Sequence, residues 1–448
     1  MDLSGRKALV IGLGKTGTAS VRFLAEHGAS VAVTDEKPAS VGDALKSMAG
    51  QASVEARAYG AEAVEGIDLV VPSPGVPPFS PVLAEAVRRG VPVRSEIEVA
   101  FGFIRPPLIA ITGTNGKTTV TTLVGKILEQ GGLRVFVGGN IGEPLIGYAG
   151  GSQGDDMVVA EISSFQLQWI RDFRPRVAVL LNVTCDHVDY HGSFEEYRRA
   201  KERIFENMGA SDLAVLNADD AETEKLARAL GTRVQCFSTE RRPAHGMFLQ
   251  DGMLVRAAKD GEERYPAGMV RIPGRHNIEN VMAAVLVCRD CGATPQTVLS
   301  AVSEFRGLAH RIEYAGEKKG VAFYDDSKGT NVGAVARAVE SFSRPSILLL
   351  GGRDKEGDFE TLAPLIRKKV KRLVLFGEAR RLIRDKIGGI VETAEAATLG
   401  EAVKAAFRGA AAGDVVLLSP GCASFDEFTS YSQRGDFFKK AVKELPDD

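Results

Sequence analysis

The stretch Ile109-Ala-Ile-Thr-Gly-Thr-Asn-Gly-Lys-Thr-Thr119 decides the fold of the middle of this chain. An apolar run leads into a glycine-rich turn that ends in a lysine and two threonines. A strand-to-helix turn of this composition directs backbone N–H groups and the positive end of a helix dipole at an anion. Lys117 adds a positive charge, and Thr118 offers a hydroxyl ligand for Mg²⁺. The stretch therefore predicts a binding site for nucleotide phosphate.

The spacing of the glycines makes this turn a shortened variant of the general phosphate loop. The general pattern has four residues between its glycines, whereas only Thr114 and Asn115 stand between them here. An ordinary glycine-rich turn with an exposed lysine is the alternative. We call the turn the phosphate cradle and expect ATP to contact its residues, which are Gly113, Thr114, Asn115, Gly116, Lys117, Thr118 and Thr119.

The length and charge of the chain limit its possible functions. A chain of 448 residues predicts about three domains, at roughly 100–200 residues per domain. Lys and Arg number 56 against 58 Asp and Glu, so the net charge of −2 attracts neither nucleic acid nor an anionic membrane. We also expect no membrane insertion, because the sequence has neither a signal-peptide pattern nor a long uninterrupted apolar run.

Cysteine usage indicates a reducing compartment. The five cysteines are an odd number in a long chain, which favours free thiols over a disulfide framework and predicts a cytoplasmic protein. Cys288 and Cys291 form a Cys-x-x-Cys pair. A single pair within an apolar run is more typical of buried helix residues than of a zinc or redox site.

A second glycine-rich turn follows the first apolar run. Lys7–Ile11 predicts a strand, Gly12-x-Gly14-x-x-Gly17 a phosphate-binding turn, and the residues to about Ala25 a helix. Asp35, at the end of the run 29–34, is placed to accept hydrogen bonds from a ribose. The pattern is typical of dinucleotide binding, but it does not identify the nucleotide, and NAD is only one candidate.

The next segments continue the alternation of strands and helices. Gly66–Val71 and Gly90–Val93 predict strands, and the proline-rich loop 72–78 lies at a strand end where ligands bind in such sheets. Ser73 and Gly75 are therefore binding candidates, although a proline-stiffened turn is an equal alternative. The pattern restarts after Arg94, so we expect a domain boundary near residue 95.

The segment after the phosphate cradle carries acidic residues and histidines at strand ends. The run 157–161 predicts a strand that delivers Glu161 to Mg²⁺. The strand predicted over 176–182 leads into a loop with Asp186 and His187, whose spacing matches no common zinc site. The loop histidine either completes an oxygen-rich Mg²⁺ site or belongs to a plain turn. A charged helix is predicted over Ser193–Met208, where composition alone makes Lys201 a solvated lysine.

The remainder of the chain predicts two kinds of sheet. Short alternating runs in Thr232–Pro266 favour antiparallel strands. From about residue 307, apolar runs near residues 324, 347, 373 and 415 alternate with helical stretches and end in polar loops. This pattern predicts a parallel α/β domain.

These features together resemble the Mur ligase family, the ATP-dependent amino-acid-adding enzymes of peptidoglycan synthesis. The resemblance spans the chain, and its motifs besides the phosphate cradle are Glu-Ile-Ser-Ser-Phe-Gln-Leu at 161–167, Asp-His-Val-Asp at 186–189, His-Asn-Ile-Glu-Asn at 276–280, His-Arg at 310–311, Asp-Ser-Lys-Gly-Thr-Asn at 326–331 and Ser-Pro-Gly-Cys-Ala-Ser-Phe-Asp at 419–426. The last two look particular to members that add D-glutamate.

The resemblance implies an α/β fold of three domains. Residues 1–95 would form a Rossmann-like domain for the UDP substrate, residues 96–307 a P-loop domain for ATP with some antiparallel strands, and residues 308–448 a Rossmann-like domain for the amino acid. In the implied reaction, UDP-N-acetylmuramoyl-L-alanine takes the γ-phosphate of ATP to form an acyl phosphate, which D-glutamate converts to an amide. The expected protein is a cytoplasmic monomer with small-molecule partners and no nucleic-acid partner.

The resemblance also assigns residues. Lys117, His187 and Lys201 would be catalytic, and Lys201 would react with CO₂ to form a carbamate. Two Mg²⁺ ions would be held by Thr118, Glu161, His187 and the Lys201 carbamate. The UDP substrate would contact Gly14, Lys15, Thr16, Asp35, Lys37, Ser73, Gly75 and Asn140. Further ATP contacts would be Asn277, Asn280, Arg311 and Asp326. D-Glutamate would contact Lys328, Thr330, Lys355, Ser424 and Tyr431.

Three alternatives stay open on the sequence. Folylpolyglutamate synthesis is the nearest activity within the superfamily, although the N-terminal domain is not accounted for by it. An NAD-dependent oxidoreductase would use the turn at Gly12–Gly17 and leave Lys117 unexplained. A non-catalytic nucleotide-binding switch would leave Glu161, His187 and Lys201 without a role.

Overall fold

The computed structural model describes residues 1–37, 39–42, 54–258, 261–355 and 357–446. These residues form three sheets. The chain divides into two compact units, one of Met1–Pro266 with Asn280–Ala301 and one of Ala267–Glu279 with Val302–Asp448. The domain boundaries expected at 95/96 and 307/308 stay predictions. Within the described ranges, no helix is both long and apolar enough to cross a membrane.

The first sheet has four parallel strands in the order β3-β2-β1-β4. Its strands are β1 (Lys7–Ile11), β2 (Ser30–Thr34), β3 (Val54–Ala56) and β4 (Leu69–Pro72), with helices α1 (Lys15–Glu26) and α2 (Pro81–Arg88). The strand predicted over Gly90–Val93 is wrong. Val91 N–H bonds to the carbonyl of Ala86 in α2, so only Val93 reaches the sheet, through one bridge to Val70.

The second sheet has nine strands in the order β13-β12-β11-β10-β9-β8-β5-β7-β6. Its parallel strands are β5 (Leu108–Thr112), β6 (Val135–Gly139), β7 (Met157–Glu161), β8 (Val177–Leu180), β9 (Leu213–Asn217), β10 (Arg233–Ser238) and β11 (Gly246–Gln250), and its antiparallel edge is β12 (Met253–Ala258) and β13 (Gly261–Pro266). The antiparallel prediction for Thr232–Pro266 therefore holds only for its second half. β10 is parallel to β9 because the helix Ala221–Ala227 between them returns the chain to the same end of the sheet.

The helices around this sheet follow the chain order. They are α3 (Glu96–Phe101), α4 (Lys117–Gln130), α5 (Leu145–Gly150), α6 (Ser164–Leu167), α7 (Val188–His191), α8 (Phe194–Glu202), α9 (Ala221–Ala227), α10 (Arg275–Asp290) and α11 (Pro295–Glu304). The predicted helix Ser193–Met208 is shorter than expected. Ser193 Oγ caps α8 by accepting from Glu196 N–H at 3.2 Å, but the α-helix ends at Glu202 and continues as the 3₁₀ turn Arg203–Phe205.

The second unit contains the third sheet, in the order β14-β15-β19-β16-β17-β18. Its elements are β14 (Glu313–Lys318), β15 (Val321–Asp325), α12 (Val332–Glu340), β16 (Ser346–Gly351), α13 (Ala363–Lys369), β17 (Val370–Phe376), α14 (Arg380–Ile387), β18 (Glu392–Glu395), α15 (Leu399–Arg408), β19 (Val415–Gly421) and α16 (Tyr431–Lys443). All of these strand pairs are parallel except β14 with β15. The predicted parallel α/β domain is confirmed, with one antiparallel edge strand.

Apolar burial explains the two-sided packing of both larger sheets. Strands β5, β7, β8 and β9 are buried along their whole length, as are β16 and β19. Parallel strands covered by helices on both faces need such continuous apolar runs. Polar side chains therefore gather in the loops at the strand ends. All five cysteines are free thiols, as predicted, and the buried Cys288 lies in α10 with Cys291 directly after that helix.

Candidate active site

The phosphate cradle connects the buried strand β5 to helix α4. Gly113 and Gly116 have φ angles of 148° and 90°, which favour glycine. The N-cap residue of α4 is Gly116, which has no side chain of its own to accept from the N–H groups of the first turn. The N-terminal N–H groups and the dipole of this helix thus suit an anion. The local geometry agrees with the predicted phosphate site.

Asn182 supports the cradle from the end of the neighbouring strand β8. Its carbonyl accepts from Thr114 N–H at 2.9 Å, and its side-chain amide exchanges hydrogen bonds with the backbone of Asn115 at 2.9 and 3.0 Å. If a larger residue replaced Gly113, its Cβ would come close to Leu181 and Asn182. If one replaced Gly116, its Cβ would lie 2.4 Å from Asn280 Oδ1. Asn182 was not among the site residues predicted from the sequence, although its place at the end of a predicted strand was an available signal.

Two lysine amines meet at one carbonyl oxygen of the cradle. Lys117 Nζ donates to the carbonyls of Gly113 at 2.8 Å and Thr114 at 3.0 Å, and Lys201 Nζ donates to Gly113 O at 2.9 Å. Lys201 lies on α8 and is only 2% exposed. The composition-based prediction of a solvated lysine is therefore wrong, because the helix turns this side chain into the protein. Burial, with a contribution from Lys117, lowers the pKa of Lys201 well below its usual value.

Tyr197 covers the same region from one turn earlier on α8. Its ring lies 4.5 Å from Lys201 Nζ, and its hydroxyl is 3.0 Å from Thr114 Oγ1. The side chain is 1% exposed, and its burial raises its pKa far above the usual value, so the phenol is protonated. Tyr197 was not among the site residues predicted from the sequence. Its spacing of four residues from Lys201 places the two side chains on one helix face.

Glu161 stands at the end of β7 and joins two further segments. Its Oε2 accepts from Thr118 Oγ1 at 2.7 Å, and its Oε1 accepts from Asn140 Nδ2 at 3.0 Å. Glu161 is 3% exposed. Thr118 and Glu161, which are 43 residues apart, thus place a hydroxyl and a carboxylate together at the start of α4. Such oxygen atoms are the ligands that Mg²⁺ prefers.

His187 precedes the short helix α7 in a left-handed backbone conformation, with φ 52°. Its ring lies 4.9 Å from the Phe165 ring and 6.3 Å from the Tyr197 ring, measured between centroids. The neighbouring His191 Nε2 is 3.0 Å from Ser164 Oγ, and burial, followed by the charge of Lys201, lowers the pKa of His191 to about 4. His187 therefore lies among the side chains around Lys201 and Tyr197.

The turn at Gly12–Gly17 has a different set of contacts. Asp35 accepts from the N–H groups of Leu13 at 2.7 Å and Lys37 at 2.8 Å, and Ser73 Oγ donates to Gly12 O at 2.6 Å. Gly75 N–H bonds to Ser73 O at 2.9 Å. The structure thus brings the predicted UDP-site loops of this sheet together, although Asp35 already bonds two backbone groups.

The remaining predicted UDP-site residues lie close to the same turn. Gly14 is the N-cap residue of α1, and Lys15 and Thr16 form its first turn. Lys15 Nζ donates to Gly142 O at 2.7 Å and pairs with Glu143 at 3.3 Å. Asn140, which donates to Glu161, stands two residues before Gly142. The N-terminal turn and the loop after β6 are therefore in contact.

The second unit carries the predicted amino-acid residues at the carboxyl ends of its strands. Lys328 Nζ lies 3.9 Å from the centre of the Tyr431 ring. Thr330 N–H bonds to Lys328 O at 2.9 Å. The bridge between Arg353 and Ala423 places the loop with Lys355 beside the loop with Ser424. Four of the five predicted residues thus lie on loops that follow strands, and Tyr431 begins α16 beside Lys328.

Asp326 and Arg434 organise these loops from inside the second unit. Burial raises the pKa of Asp326 to about 7, and Ser419 Oγ donates to its Oδ2 at 2.7 Å. Arg311, a predicted ATP contact, lowers the pKa of Asp326 by its charge. Arg434 is fully buried and donates to Ser327 Oγ and to the carbonyls of Ser327, Ala423 and Cys422. No sequence pattern indicated a buried arginine at position 434.

The predicted adenine contacts lie at the start of α10. Asn277 Nδ2 donates to Pro273 O at 2.6 Å and is 8% exposed. Asn280 is 3% exposed and lies against Gly116 of the cradle. Burial lowers the pKa of His276, the residue before Asn277, to about 4, so this imidazole is neutral. The structure therefore connects Asn280 directly with the phosphate cradle.

Comparison with known proteins gives matches along the chain. The Mur ligase MurD-like N-terminal domain matches residues 6–95, the Mur ligase middle domain residues 111–288, and the Mur ligase glutamate ligase domain residues 310–422. The UDP-N-acetylmuramoylalanine–D-glutamate ligase of Syntrophus aciditrophicus is 57% identical over 447 residues, which cover 99% of both chains. The enzyme of that name from Geotalea daltonii is 46% identical over 448 residues, again 99% of both chains.

Solved structures share the fold at low identity. The UDP-N-acetylmuramate-alanine ligase MurC of Thermotoga maritima has a TM-score of 0.59 at 20% identity, covering 98% of this chain and 99% of that one. The MurF ligase of Thermotoga maritima, solved with ADP, has a TM-score of 0.61 at 17% identity and covers 99% of both chains. At these identities the likeness concerns the fold alone. It agrees with the predicted three-domain α/β architecture.

Proposed function

The chain belongs to the Mur ligase family, and from this membership we propose that it is an ATP-dependent ligase that joins D-glutamate to UDP-N-acetylmuramoyl-L-alanine in peptidoglycan precursor synthesis. The observation that carries the proposal is the convergence of Lys117 and Lys201 on Gly113 O, next to the Thr118–Glu161 pair. A carboxylate and ATP repel each other as anions, so their reaction needs positive charge at the transferring phosphoryl group. This region of the first unit supplies it.

ATP is proposed to bind with its phosphates on the phosphate cradle. The N–H groups at the start of α4 would hold the phosphate oxygens, and Lys117 would exchange its two carbonyl acceptors for the γ-phosphate. Asn277 and Asn280 would bond the adenine. Arg311 and Asp326 would contact the ribose and phosphates.

Mg²⁺ fits the side chains present beside the cradle. Thr118 Oγ1 and the buried Glu161 carboxylate lie 2.7 Å apart, and both offer oxygen ligands. We propose that they hold one ion and that His187 helps to hold a second. When bound, Mg²⁺ supplies charge neutralisation at the phosphoryl group that is transferred.

Lys201 is proposed to be carbamylated by CO₂. A neutral amine attacks CO₂, forms an N–C bond and releases a proton, which leaves an anionic carbamate. Burial and Lys117 lower the pKa of Lys201, which favours the neutral amine. A buried carbamate anion would attract the neighbouring Lys117 cation, and its oxygens would suit Mg²⁺.

The UDP substrate is proposed to occupy the turn at Gly12–Gly17. Gly14, Lys15 and Thr16 would contact the diphosphate, and Asp35 with Lys37 the uracil or ribose. Ser73, Gly75 and Asn140 would line the sugar. Lys15 and Asn140 already connect this turn with Glu143 and Glu161, so the substrate carboxylate would be presented close to the cradle.

The amino acid is proposed to bind in the second unit, at the loops that carry Lys328, Thr330, Lys355, Ser424 and Tyr431. The amine of D-glutamate would attack the acyl phosphate, forming the amide and releasing phosphate. Enclosure of the acyl phosphate would protect it from hydrolysis. We also keep the predictions that the protein is cytoplasmic, where ATP is made, and monomeric.

One assay tests this function against the alternatives. Phosphate release from Mg-ATP is measured with UDP-N-acetylmuramoyl-L-alanine and, in turn, D-glutamate, L-glutamate, D-aspartate and L-lysine. Turnover is expected only with D-glutamate, together with a product one glutamyl residue heavier by mass spectrometry. Three results would contradict the proposal: ATP hydrolysis at the same rate with and without UDP-N-acetylmuramoyl-L-alanine and the amino acid, addition of glutamate to a folate, or oxidation of NADH.

A further inference from the structure

Helix α3 carries two buried carboxylates that the proposed mechanism does not use. Glu96 and Glu98 are 1% and 3% exposed, and they are flanked by the apolar residues Ile97 and Val99. A buried carboxylate costs free energy unless hydrogen-bond donors surround it. Each must therefore have partners, and the partners differ between the two.

The Glu96 carboxylate lies between two N–H donors. Its Oε1 accepts from Gln166 Nε2 at 2.7 Å, and its Oε2 accepts from the backbone N–H of Ile146 at 3.0 Å. The other end of the Gln166 amide is also bonded. Gln166 Oε1 accepts from Ser163 N–H at 2.8 Å and from Ser163 Oγ at 2.9 Å. Glu96 and the Ser163 N–H therefore favour the same orientation of the Gln166 amide.

This orientation holds the turn that follows β7. Ser163 and Gln166 form a capping box at the start of α6, and Ser163 is two residues after Glu161. Ser164 Oγ in the same turn contacts His191 at 3.0 Å. Glu161 bonds to Thr118 and Asn140 at the end of this strand, so the turn continues directly from the residue that carries this carboxylate. We propose that Glu96 is a positioning residue that acts through Gln166 to hold Glu161 toward Thr118.

Only a carboxylate satisfies all four of these hydrogen bonds. A glutamine at position 96 would turn its NH₂ toward either Ile146 N–H or the Gln166 amide. If the NH₂ of this glutamine faced Gln166, the Gln166 amide could rotate by 180° so that its oxygen accepts from it. The Gln166 NH₂ would then face the Ser163 N–H, and because both groups are donors, the capping box would break. Burial raises the pKa of Glu96 to about 7 although both hydrogen bonds lower it. The two hydrogen bonds thus stabilise the anionic form, which burial disfavours.

Glu98 provides a matched control on the same helix. Its Oε1 accepts from Asp172 N–H at 2.9 Å, and its Oε2 accepts from the N–H groups of Arg171 and Phe173 at 3.0 Å each. These hydrogen bonds reach a segment after α6 rather than the capping box. Glu98→Gln removes a buried carboxylate of the same kind without changing the Gln166 contact.

The experiment compares Glu96→Gln with Glu98→Gln in the full-length protein. Hydrogen exchange of residues 161–167 is expected to quicken in Glu96→Gln, whereas in Glu98→Gln the change is expected at 171–173. The Mg²⁺ concentration for half-maximal activity should rise by about tenfold in Glu96→Gln only. This is the lower end of the loss in metal affinity that follows when a residue supporting a metal ligand is removed. The KM for D-glutamate should stay unchanged.

The double variant Glu96→Gln/Gln166→Glu tests the hydrogen-bond pattern itself. The amide introduced at position 96 would accept from Ile146 N–H and donate to the carboxylate introduced at position 166, which would still accept from Ser163. Exchange at 161–167 and the Mg²⁺ requirement should therefore return toward wild type. Equal behaviour of both single variants, or no recovery in the double variant, overturns the inference. The kinetic measurement rests on the proposed function, which fails if the wild type does not add D-glutamate. Hydrogen exchange tests the positioning role of Glu96 whether or not that function holds.

Discussion

The two glycine-rich turns of the first unit share a local structure and differ in what surrounds them. Each follows a largely buried parallel strand and starts a helix whose N-cap residue is a glycine, which has no side chain of its own to cap the first turn. The Lys15 side chain is 65% exposed and pairs with an exposed glutamate, whereas Lys117 shares Gly113 O with the buried Lys201. Local sequence thus indicates an anion site in both places. The chemistry depends on buried charge that distant segments bring to only one of these two turns.

The largest effect expected from this comparison is the loss of the cradle lysine. Lys117→Ala should lower kcat for D-glutamate addition by about 10³-fold or more, because positive charge at a transferring phosphoryl group is worth that much. Lys15→Ala is the matched control and should raise the KM for the UDP substrate by less than about tenfold, as expected of an exposed pair. Equal losses in the two variants would remove the distinction between the turns.

The next effect concerns the second lysine on Gly113 O. Lys201→Ala should lower kcat by about 10²-fold, the scale of losing one stabilising group. The wild type should lose activity when CO₂ is removed and regain it with bicarbonate, whereas the activity of the variant should not change when bicarbonate is added. Mass spectrometry of trapped peptides would locate the added carboxyl. Full activity in Lys201→Ala, without any response to bicarbonate in the wild type, would contradict the carbamate.

The buried Glu96 carboxyl should also appear in the pH dependence of stability. The pKa of Glu96 is raised from 4.5 to about 7 in the folded protein. The folded state then binds more protons than the unfolded state between these values, so Glu96 should reduce stability as the pH rises from 4.5 to 7, on the order of 1–3 kcal/mol. Urea unfolding followed by the single tryptophan, Trp169, should give a difference in stability between the wild type and Glu96→Gln that changes by this amount over that pH range, because the other shifted groups contribute equally to both proteins.

The smallest effect concerns glycine packing at the N-terminal turn. A Cβ at Gly17 would lie 1.9 Å from Gly12 O, whereas one at Gly14 meets nothing within 4 Å among the described residues. Gly17→Ala should therefore cost about 2 kcal/mol of folding free energy, and Gly14→Ala less than about 0.5 kcal/mol. Thermal unfolding of the two variants measures the difference. A tolerated Gly17→Ala would show that the strand and helix can separate there without loss.

Much of the fold could be predicted because it follows from neighbouring residues. The run Ile109–Thr112 and the glycines after it give a strand, a turn and a helix start whatever else the chain does. The strand predicted over Gly90–Val93 is wrong because an isolated apolar run does not reveal that Val91 is held to Ala86. The parallel pairing of β10 likewise depends on a helix crossover, which composition alone does not show.

The sequence by itself determined the family, the phosphate cradle, and the residue types that the site contains. Only the tertiary structure decided that Lys201 is buried and bonded to a carbonyl 88 residues away, and that Glu96 faces Gln166 across 70 residues. The physical reason is that backbone conformation depends mainly on adjacent residues. Burial and the pKa of a side chain depend on what distant segments pack against it.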